Sequence, residues 1–212
     1  MKKLILFGLL AFISLAAMAQ NQGENEGWIS LWDGKTFDGW KASENPASFS
    51  IVDGTIKVDG PRAHLFYVGP VENHNFNNFE FKAEVKTEPG ANSGIFFHTR
   101  FQEDGWPSKG YEVQVNQTHS DWRKTGSLYS FDDVKEVHVK DNEWYTEHII
   151  VQGDRVTVKI NGKTVVDYVE SEDNNRPADA GDKKIDRGTF ALQAHDPKSV
   201  IYYRNIRVKP LP

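Results

Sequence analysis

The strongest constraint on the fold is a series of short runs with period-two alternation, separated by turn dipeptides. Residues 79–88 alternate apolar and charged side chains, which is the pattern of a strand with one buried and one solvated face. Asp53-Gly54 and Asn161-Gly162 each separate two such runs, and these dipeptides supply the positive φ angles of a tight hairpin turn. Roughly ten to twelve strands, without an amphipathic helix after the first segment, predict an all-β fold, an antiparallel β-sandwich.

Residues 1–19 have the organisation of a secretory signal peptide. A basic start is followed by an apolar run and a small-x-small cleavage site before Gln20, as in a cleavable leader, and an uncleaved anchor is the alternative. Residues 20–27 are polar and aperiodic, and we expect them to form a flexible lead-in. Residues 28–212 are therefore predicted to form a single β-sandwich domain.

The composition narrows the location and the partners of the chain. There is no cysteine, and the formal net charge is -5. Without cysteine the protein has neither disulfides nor a lipid-bearing thiol, so we expect a periplasmic or secreted protein with no membrane anchor after signal cleavage. A mildly acidic chain without a basic stripe also argues against a nucleic acid as partner.

Strand parity collects polar side chains on one face of three strands, within residues 93–101, 111–116 and 188–196. Alternate side chains of a strand point to opposite faces of its sheet, so one set should enter the core and the other should face away from it. The set assigned to the core is Ile95, Phe97, Phe101, Tyr111, Val113, Val115, Phe190, Leu192 and Ala194. The opposite set is Phe96, His98, Arg100, Glu112, Gln114, Asn116, Gln193 and His195. If this surface is concave, it forms a polar groove.

The residue types on that surface favour proton transfer over ordinary glycoside hydrolysis. A plain solvent-facing surface is the simpler alternative, although lysine and glutamate would then dominate, as they do at Glu80 and Lys82. A typical glycosidase needs two carboxylates flanking the scissile bond, whereas the residue two positions after Glu112 is the amide Gln114. Acid–base chemistry by histidine and tyrosine, with arginine or a metal stabilising an enolate, fits the inventory better.

A series of motifs in the same order resembles the DUF1080 family, the 3-keto-disaccharide hydrolase or 3-keto-α-glucoside lyase/3-keto-2-hydroxy-glucal hydratase domain. The matching motifs lie at residues 31–40, 78–81, 92–97, 110–114, 125–129, 161–162 and 191–195. The resemblance implies a concanavalin A-like jelly roll and an exported enzyme acting on sugars already oxidised at carbon 3. A ketone there acidifies the proton on carbon 2, so a base can expel the glycosidic oxygen by elimination, after which water adds to the glycal.

The resemblance carries over to four positions, Glu112, Gln114, Tyr129 and His195. It implies His195 as the proton-transfer group or a metal ligand, with Glu112 orienting it or sharing a divalent cation; no other cofactor is expected. Tyr129 would protonate the departing oxygen.

The remaining polar residues of the groove are expected to bind the substrate, a glycoside or an oligosaccharide. Arg100 and Gln114 would hold sugar hydroxyls or the developing enolate, with His98 and Gln193 beside them. The histidines at positions 64, 74, 119 and 148 are expected on loops or the surface because none has metal-ligand spacing.

The competing hypothesis is a non-catalytic, lectin-like carbohydrate-binding module on the same fold. Stacking of sugars on Trp106, Trp122 and Tyr129 would serve such a module equally well. Residues 134–143 and 170–187 form charged loops to which the sequence assigns no role.

Overall fold

The computed structural model describes residues 26–170, residue 177 and residues 180–212. The predicted signal peptide, most of the lead-in and part of the 170–187 loop lie outside the described residues. None of the helical segments in the described ranges is long and apolar enough to cross a bilayer.

The described residues contain thirteen strands, which pair antiparallel in two sheets. The strands are β1 (Ile29–Ser30), β2 (Trp40–Ala42), β3 (Phe49–Val52), β4 (Thr55–Asp59), β5 (Ala63–Tyr67), β6 (Phe79–Thr87), β7 (Ser93–Thr99), β8 (Tyr111–Val115), β9 (Tyr145–Gln152), β10 (Arg155–Ile160), β11 (Lys163–Val169), β12 (Thr189–Ala194) and β13 (Val200–Pro210). Short 3₁₀ turns occupy Pro46–Ser48 and Val71–His74. The larger sheet has the order β11-β10-β9-β6-β13-β4-β3, with β1 on β13, and the smaller sheet has the order β2-β5-β12-β7-β8. The predicted all-β jelly-roll sandwich is confirmed.

The turn and alternation signals place the strands as predicted. Asp53 and Asn161 adopt φ angles of 49° each, followed by glycines at 68° and 82°, and they join β3 to β4 and β10 to β11. Along β6 every second residue is buried, beginning with Phe79. The apolar parity set of β7, β8 and β12 packs in the core between the sheets, as expected for all its members except Phe101.

A second apolar cluster covers the outer face of the smaller sheet. Phe66, Phe96 and Ala191 are buried there, and Phe101 packs against them instead of entering the main core. All residues of β5, β7 and β12 are consequently buried. The smaller sheet is thus covered on both faces, which is unusual for an antiparallel sheet.

A backbone irregularity at the end of β7 overturns the predicted orientation of His98. His98 has a φ of 54° and lies where the register between β7 and β12 shifts. Its ring packs edge-on against Phe79 and Phe97, and its Nε2 lies 2.8 Å from the carbonyl oxygen of Asn77. A bulge breaks the two-residue period locally, so residues after Phe97 no longer follow the parity of the strand.

One carboxyl group lies inside the sandwich. Glu147 of β9 is fully buried, and neither side-chain oxygen has a hydrogen-bond partner among the described residues. Burial raises the pKa of this carboxyl well above its ordinary value. The interior of the sandwich therefore favours the protonated form of Glu147.

We expect Glu147→Gln to stabilise the protein in a pH-dependent way. The folded-state pKa is raised, so the contribution of Glu147 to stability is fully present below its unfolded pKa and is lost as pH rises. The loss amounts to about 1.4 kcal/mol per pH unit between the unfolded and folded pKa values. Urea unfolding of both proteins from pH 4 to pH 9 should show curves that converge at low pH and diverge above pH 5.

The control for this experiment is Glu136→Gln, because Glu136 is exposed. The free energy of unfolding of this variant should differ from that of the wild type by the same amount at every pH. A constant offset between Glu147→Gln and the wild type across the pH range would contradict the prediction.

Candidate active site

A cavity of about 280 Å³ opens on the outer face of the smaller sheet. Strands β7, β8 and β12 form its floor, and the loops around residues 106, 121, 129 and 183 form its walls. The lining residues are Asn92, Phe96, Trp106, Pro107, Glu112, Gln114, Asp121, Tyr129, Lys183, Gln193 and His195.

Strand register aligns a row of polar residues across the floor. Gln193 of β12 pairs with His64 of β5, and Gly94 of β7 pairs with Gln114 of β8. Leu192 pairs with Ile95, which sets Gln193 beside Gly94. Two amide side chains therefore flank a glycine in the centre of the sheet.

The missing side chain of Gly94 makes room for the carboxyl group of Glu112. A Cβ atom at position 94 would lie 2.2 Å from Oε1 of Glu112 and 2.7 Å from its Cγ. Gln193 Nε2 donates a hydrogen bond of 3.0 Å to the same Oε1. Burial raises the pKa of Glu112 to about 7, although Lys183 and the hydrogen bond from Gln193 favour the ionised form. This carboxyl can thus either give up or accept a proton near neutral pH.

The two floor amides present hydrogen-bond acceptors that the protein does not use. Gln114 Nε2 donates to Asn92 Oδ1 at 2.6 Å, which orients the amide plane. The side-chain carbonyl oxygens of Gln114 and Gln193 are buried and have no hydrogen-bond partner among the described residues. Such acceptors suit the hydroxyl groups of a sugar.

Asp196 orients the imidazole of His195. The two residues lie just after β12, and His195 Nδ1 is 2.8 Å from Asp196 Oδ2. Asp196 also accepts hydrogen bonds from the backbone N–H of Lys198 and the hydroxyl of Ser199. Burial disfavours its ionisation, but these three bonds outweigh that effect and lower the pKa of Asp196. An ionised Asp196 accepts a hydrogen bond from the Nδ1–H of His195, which leaves the lone pair of the neutral imidazole on Nε2.

This arrangement corrects one predicted role. The resemblance offered Glu112 as the group that orients His195, whereas the Nδ1 of His195 contacts Asp196 and Glu112 accepts from Gln193. Asp196 was not predicted as a site residue, although a carboxylate directly after a candidate histidine is a signal visible in the sequence. Asn92 was not predicted either, because its role depends on contacts with residues distant in sequence.

Tyr129 lies against the guanidinium group of Arg123 on the wall of the cavity. Arg123 Cζ is 4.5 Å from the centre of the Tyr129 ring, and Arg123 Nε donates to Asp133 Oδ2 at 3.2 Å. The backbone N–H of Tyr129 donates to the carbonyl oxygen of Glu112, so tyrosine and carboxylate are positioned together. Burial raises the pKa of Tyr129, and the positive charge of Arg123 partly opposes this. The phenol is therefore a proton donor at neutral pH.

The structure separates the predicted site residues into two groups. Glu112, Gln114, Tyr129, Gln193 and His195 all line the cavity. The predicted substrate-binding residues His98 and Arg100 do not line it. His98 lies beside the core. Arg100 lines a second cavity of about 320 Å³, and its Nη2 is 3.8 Å from Oδ2 of Asp186. Both residues follow Phe97 and depart from the strand parity that suggested their roles.

The described ranges contain no group of three or more histidine, aspartate or glutamate side chains that could hold a metal ion. A divalent cation shared by Glu112 and His195 stays a prediction.

We expect Gly94→Ala to disable the site while leaving the fold intact. The added methyl group would meet the side chain of Glu112, so the carboxyl must move away from Gln193. Catalytic efficiency should fall at least about 100-fold, as for other displaced catalytic groups, and a crystal structure should show Glu112 rotated. The control is Gly153→Ala, because the space around its Cβ position is open. Its stability must also be measured, since the φ of Gly153 is 60° and alanine is strained there. Full activity in Gly94→Ala would contradict the role of this contact.

We expect Glu112→Gln to be more stable than the wild type above pH 7. A carboxyl with a folded pKa of about 7 contributes stability that is fully present below its unfolded pKa and is lost as pH rises towards 7. The amide does not ionise, so the variant should gain about 1 to 2 kcal/mol at pH 8, allowing for solvent at this half-buried group, and almost nothing at pH 4. Denaturant unfolding at the two pH values measures the difference, and an equal gain at both would refute the pKa assignment.

Comparison with known proteins places these features in a family. A family model described as the 3-keto-alpha-glucoside-1,2-lyase-like domain matches residues 27–209. A 3-keto-disaccharide hydrolase of Bacteroides thetaiotaomicron is 30% identical over 170 residues, which cover 68% of this chain and 59% of that relative. The match thus spans less than two thirds of the relative's length.

Two solved structures illustrate the range of similar folds. A candidate glycosyl hydrolase of Parabacteroides distasonis has a TM-score of 0.76 and 26% identity, over 90% of this chain and 97% of that one. The carbohydrate-binding module CBM66 of Bacillus subtilis has a TM-score of 0.56 at 12% identity, over 81% of this chain and 95% of that one, and shares the fold alone. With a family model that matches nearly all of the described residues, the chain belongs to the 3-keto-alpha-glucoside-1,2-lyase-like family.

Proposed function

We propose that this protein is an exported enzyme that cleaves 3-keto-glycosides by elimination followed by hydration. The observation that carries the proposal is the imidazole of His195 at the cavity: Asp196 holds its Nδ1, and its Nε2 has no hydrogen-bond partner among the described residues. Beside it in the same cavity is Glu112, whose pKa of about 7 suits proton transfer. An export signal at residues 1–19 fits a substrate met outside the cytoplasm.

The first step is removal of the proton on carbon 2 of the oxidised sugar. The lone pair of His195 Nε2 takes this proton, and Asp196 stabilises the imidazolium that forms. The electrons of the broken C–H bond pass to the adjacent ketone as an enolate and then form the double bond between carbons 1 and 2. The bond between carbon 1 and the glycosidic oxygen breaks, and that oxygen takes a proton from a neighbouring acid.

Two groups in the cavity can supply the proton to the departing oxygen. Tyr129 is a neutral phenol, and Glu112 is partly protonated at neutral pH. Of the two we assign the role to Tyr129, since the hydrogen bond that Gln193 donates to Glu112 favours the ionised carboxylate, which suits a base better than an acid. Glu112 then serves the second step, in which it accepts a proton from the water whose oxygen bonds to carbon 1. His195 returns its proton to carbon 2, and Glu112 passes its proton through solvent to the Tyr129 phenolate, so all three groups regain their starting states. The balance over both steps is hydrolysis.

The amides of the floor supply recognition. The unused carbonyl oxygens of Gln114 and Gln193 can accept hydrogen bonds from sugar hydroxyl groups, and Asn92 fixes the position of Gln114. A substrate without those hydroxyl groups would leave the acceptors buried and unpaired, which is costly.

Two other functions have some support in the cavity. The first is direct glycoside hydrolysis, because Asp121 lines the cavity together with Glu112 and so provides a second carboxylate. However, Oδ1 of Asp121 already accepts a hydrogen bond from the backbone N–H of Arg123. A lectin-like module is favoured by Trp106, which is 46% exposed at the rim of the cavity and offers a stacking surface.

The decisive experiment incubates the purified protein with 3-keto-glucosides of α and β configuration and with the matching unoxidised glucosides. We expect the aglycone and the enone from the 3-keto substrates only. Cleavage of unoxidised glucosides would favour direct hydrolysis, and saturable binding without turnover would favour the lectin.

Two variants test the assigned roles. His195→Ala should lose about 10²- to 10⁴-fold in kcat, and Asp196→Asn, which disturbs the tautomer, about 10- to 100-fold. The control His138→Ala should retain wild-type rates, because His138 does not line the cavity. Full elimination activity in His195→Ala would refute the central assignment.

A further inference from the structure

His64 is a buried histidine whose ring makes no hydrogen bond to any of the described residues. It lies in β5 with none of its surface exposed, and neither ring nitrogen has a hydrogen-bond partner among the described residues. This placement corrects the expectation of a loop or surface histidine. Burial lowers the pKa of His64 to about 3, so the ring is neutral and carries one N–H donor and one acceptor.

The surroundings of His64 are aromatic. Its ring centre is 5.3 Å from that of Phe96 and 5.6 Å from that of Trp106, both at edge-on angles. A phenylalanine would fill such a site without leaving two buried nitrogens unpaired. Unpaired buried polar groups are uncommon in proteins, and each requires an explanation such as a bound water or a functional role.

The position of His64 supplies a functional explanation. His64 pairs with Gln193 and so extends the row of polar residues across the cavity floor. His64 is not among the residues that line the cavity, whereas Trp106, whose ring it contacts edge-on, is one of them. The indole ring of Trp106 is also 5.4 Å from the ring of His195, so the same side chain contacts both His64 and the proposed base.

Trp106 is attached in a way that leaves its side chain exposed to solvent on one side. Arg62 lies 5.3 Å from the indole ring, and Glu44 binds Arg62 through both carboxylate oxygens. Glu44 also accepts a hydrogen bond from the backbone N–H of Gly105. The backbone of the loop is therefore anchored next to Trp106, while the 46% exposed indole packs against the guanidinium group of Arg62 and the rings of His64 and His195.

We propose that His64 is a substrate-recognition residue that Trp106 covers in the ligand-free protein. The inference rests on the proposed function. When the sugar attached through the glycosidic oxygen enters, the indole turns aside and stacks on that sugar, and His64 joins the floor. Its neutral imidazole then donates to one hydroxyl group and accepts from another.

Kinetics of His64→Phe provide the first test. The variant should melt at a higher temperature than the wild type, since an apolar ring suits the aromatic surroundings. For a 3-keto-disaccharide its KM should rise about 3- to 10-fold with kcat within about twofold, as expected for lost hydrogen bonds to a neutral group. For methyl 3-keto-glucoside, which lacks the second sugar, KM should not change. The control His138→Phe should leave both substrates unaffected.

A lower melting temperature for His64→Phe, together with an unchanged KM for both substrates, would overturn the proposal and assign His64 a structural role with a bound water.

Nuclear magnetic resonance of the wild-type protein provides the second test. An unoxidised glucose disaccharide lacks the ketone needed for elimination and serves as a stable probe. Added to protein labelled with ¹⁵N-histidine, it should shift the ring nitrogens of His64 as well as those of His195. A shift of His195 alone would overturn the proposal and leave the proposed function intact. Shifts of both without turnover of any 3-keto-glycoside would support recognition by His64 and refute the enzyme.

Discussion

Burial of the smaller sheet on both faces is the constraint on which the site depends. Every residue of β5, β7 and β12 is buried, so polar groups on the outer face cannot rely on bulk water. They pair with one another instead: Gln193 with Glu112, and Gln114 with Asn92. Among the described residues, the groups left over include the carbonyl oxygens of Gln114 and Gln193 and the ring of His64. In such surroundings a hydrogen bond from a ligand hydroxyl group contributes more binding free energy than it would at a solvent-exposed surface.

Local patterns made most of the fold predictable. The alternation along β6 and the Asp-Gly and Asn-Gly turns depend on near neighbours in sequence, so they could be predicted without the structure. The same period correctly assigned the core side of β7, β8 and β12, and it gathered Glu112, Gln114, Gln193 and His195 on the opposite face. These residues lie on regular stretches of strand, where parity holds.

The failures have specific physical causes. Parity ended at the positive φ of His98, because a bulge is set by strand pairing and not by the residue pattern. The contact between Gly94 and Glu112 was invisible because a glycine gives no signal of what it makes room for. His64 was misplaced because burial of a lone histidine depends on aromatic rings from distant segments, Phe96 and Trp106.

The hydrogen bonds around Asp196 reach further than its histidine partner. The backbone N–H of Asn92 donates to the hydroxyl of Ser199, the hydroxyl donates to Asp196, and Asp196 contacts His195. Asn92 precedes β7 and at the same time fixes the amide of Gln114. The positions of the His195 imidazole and the Gln114 amide therefore both depend on Asn92. A sliding motion between β7 and β12 would displace both groups. Rate and recognition in this fold are accordingly expected to be lost together when that strand pair is loosened, even by changes made far from the cavity.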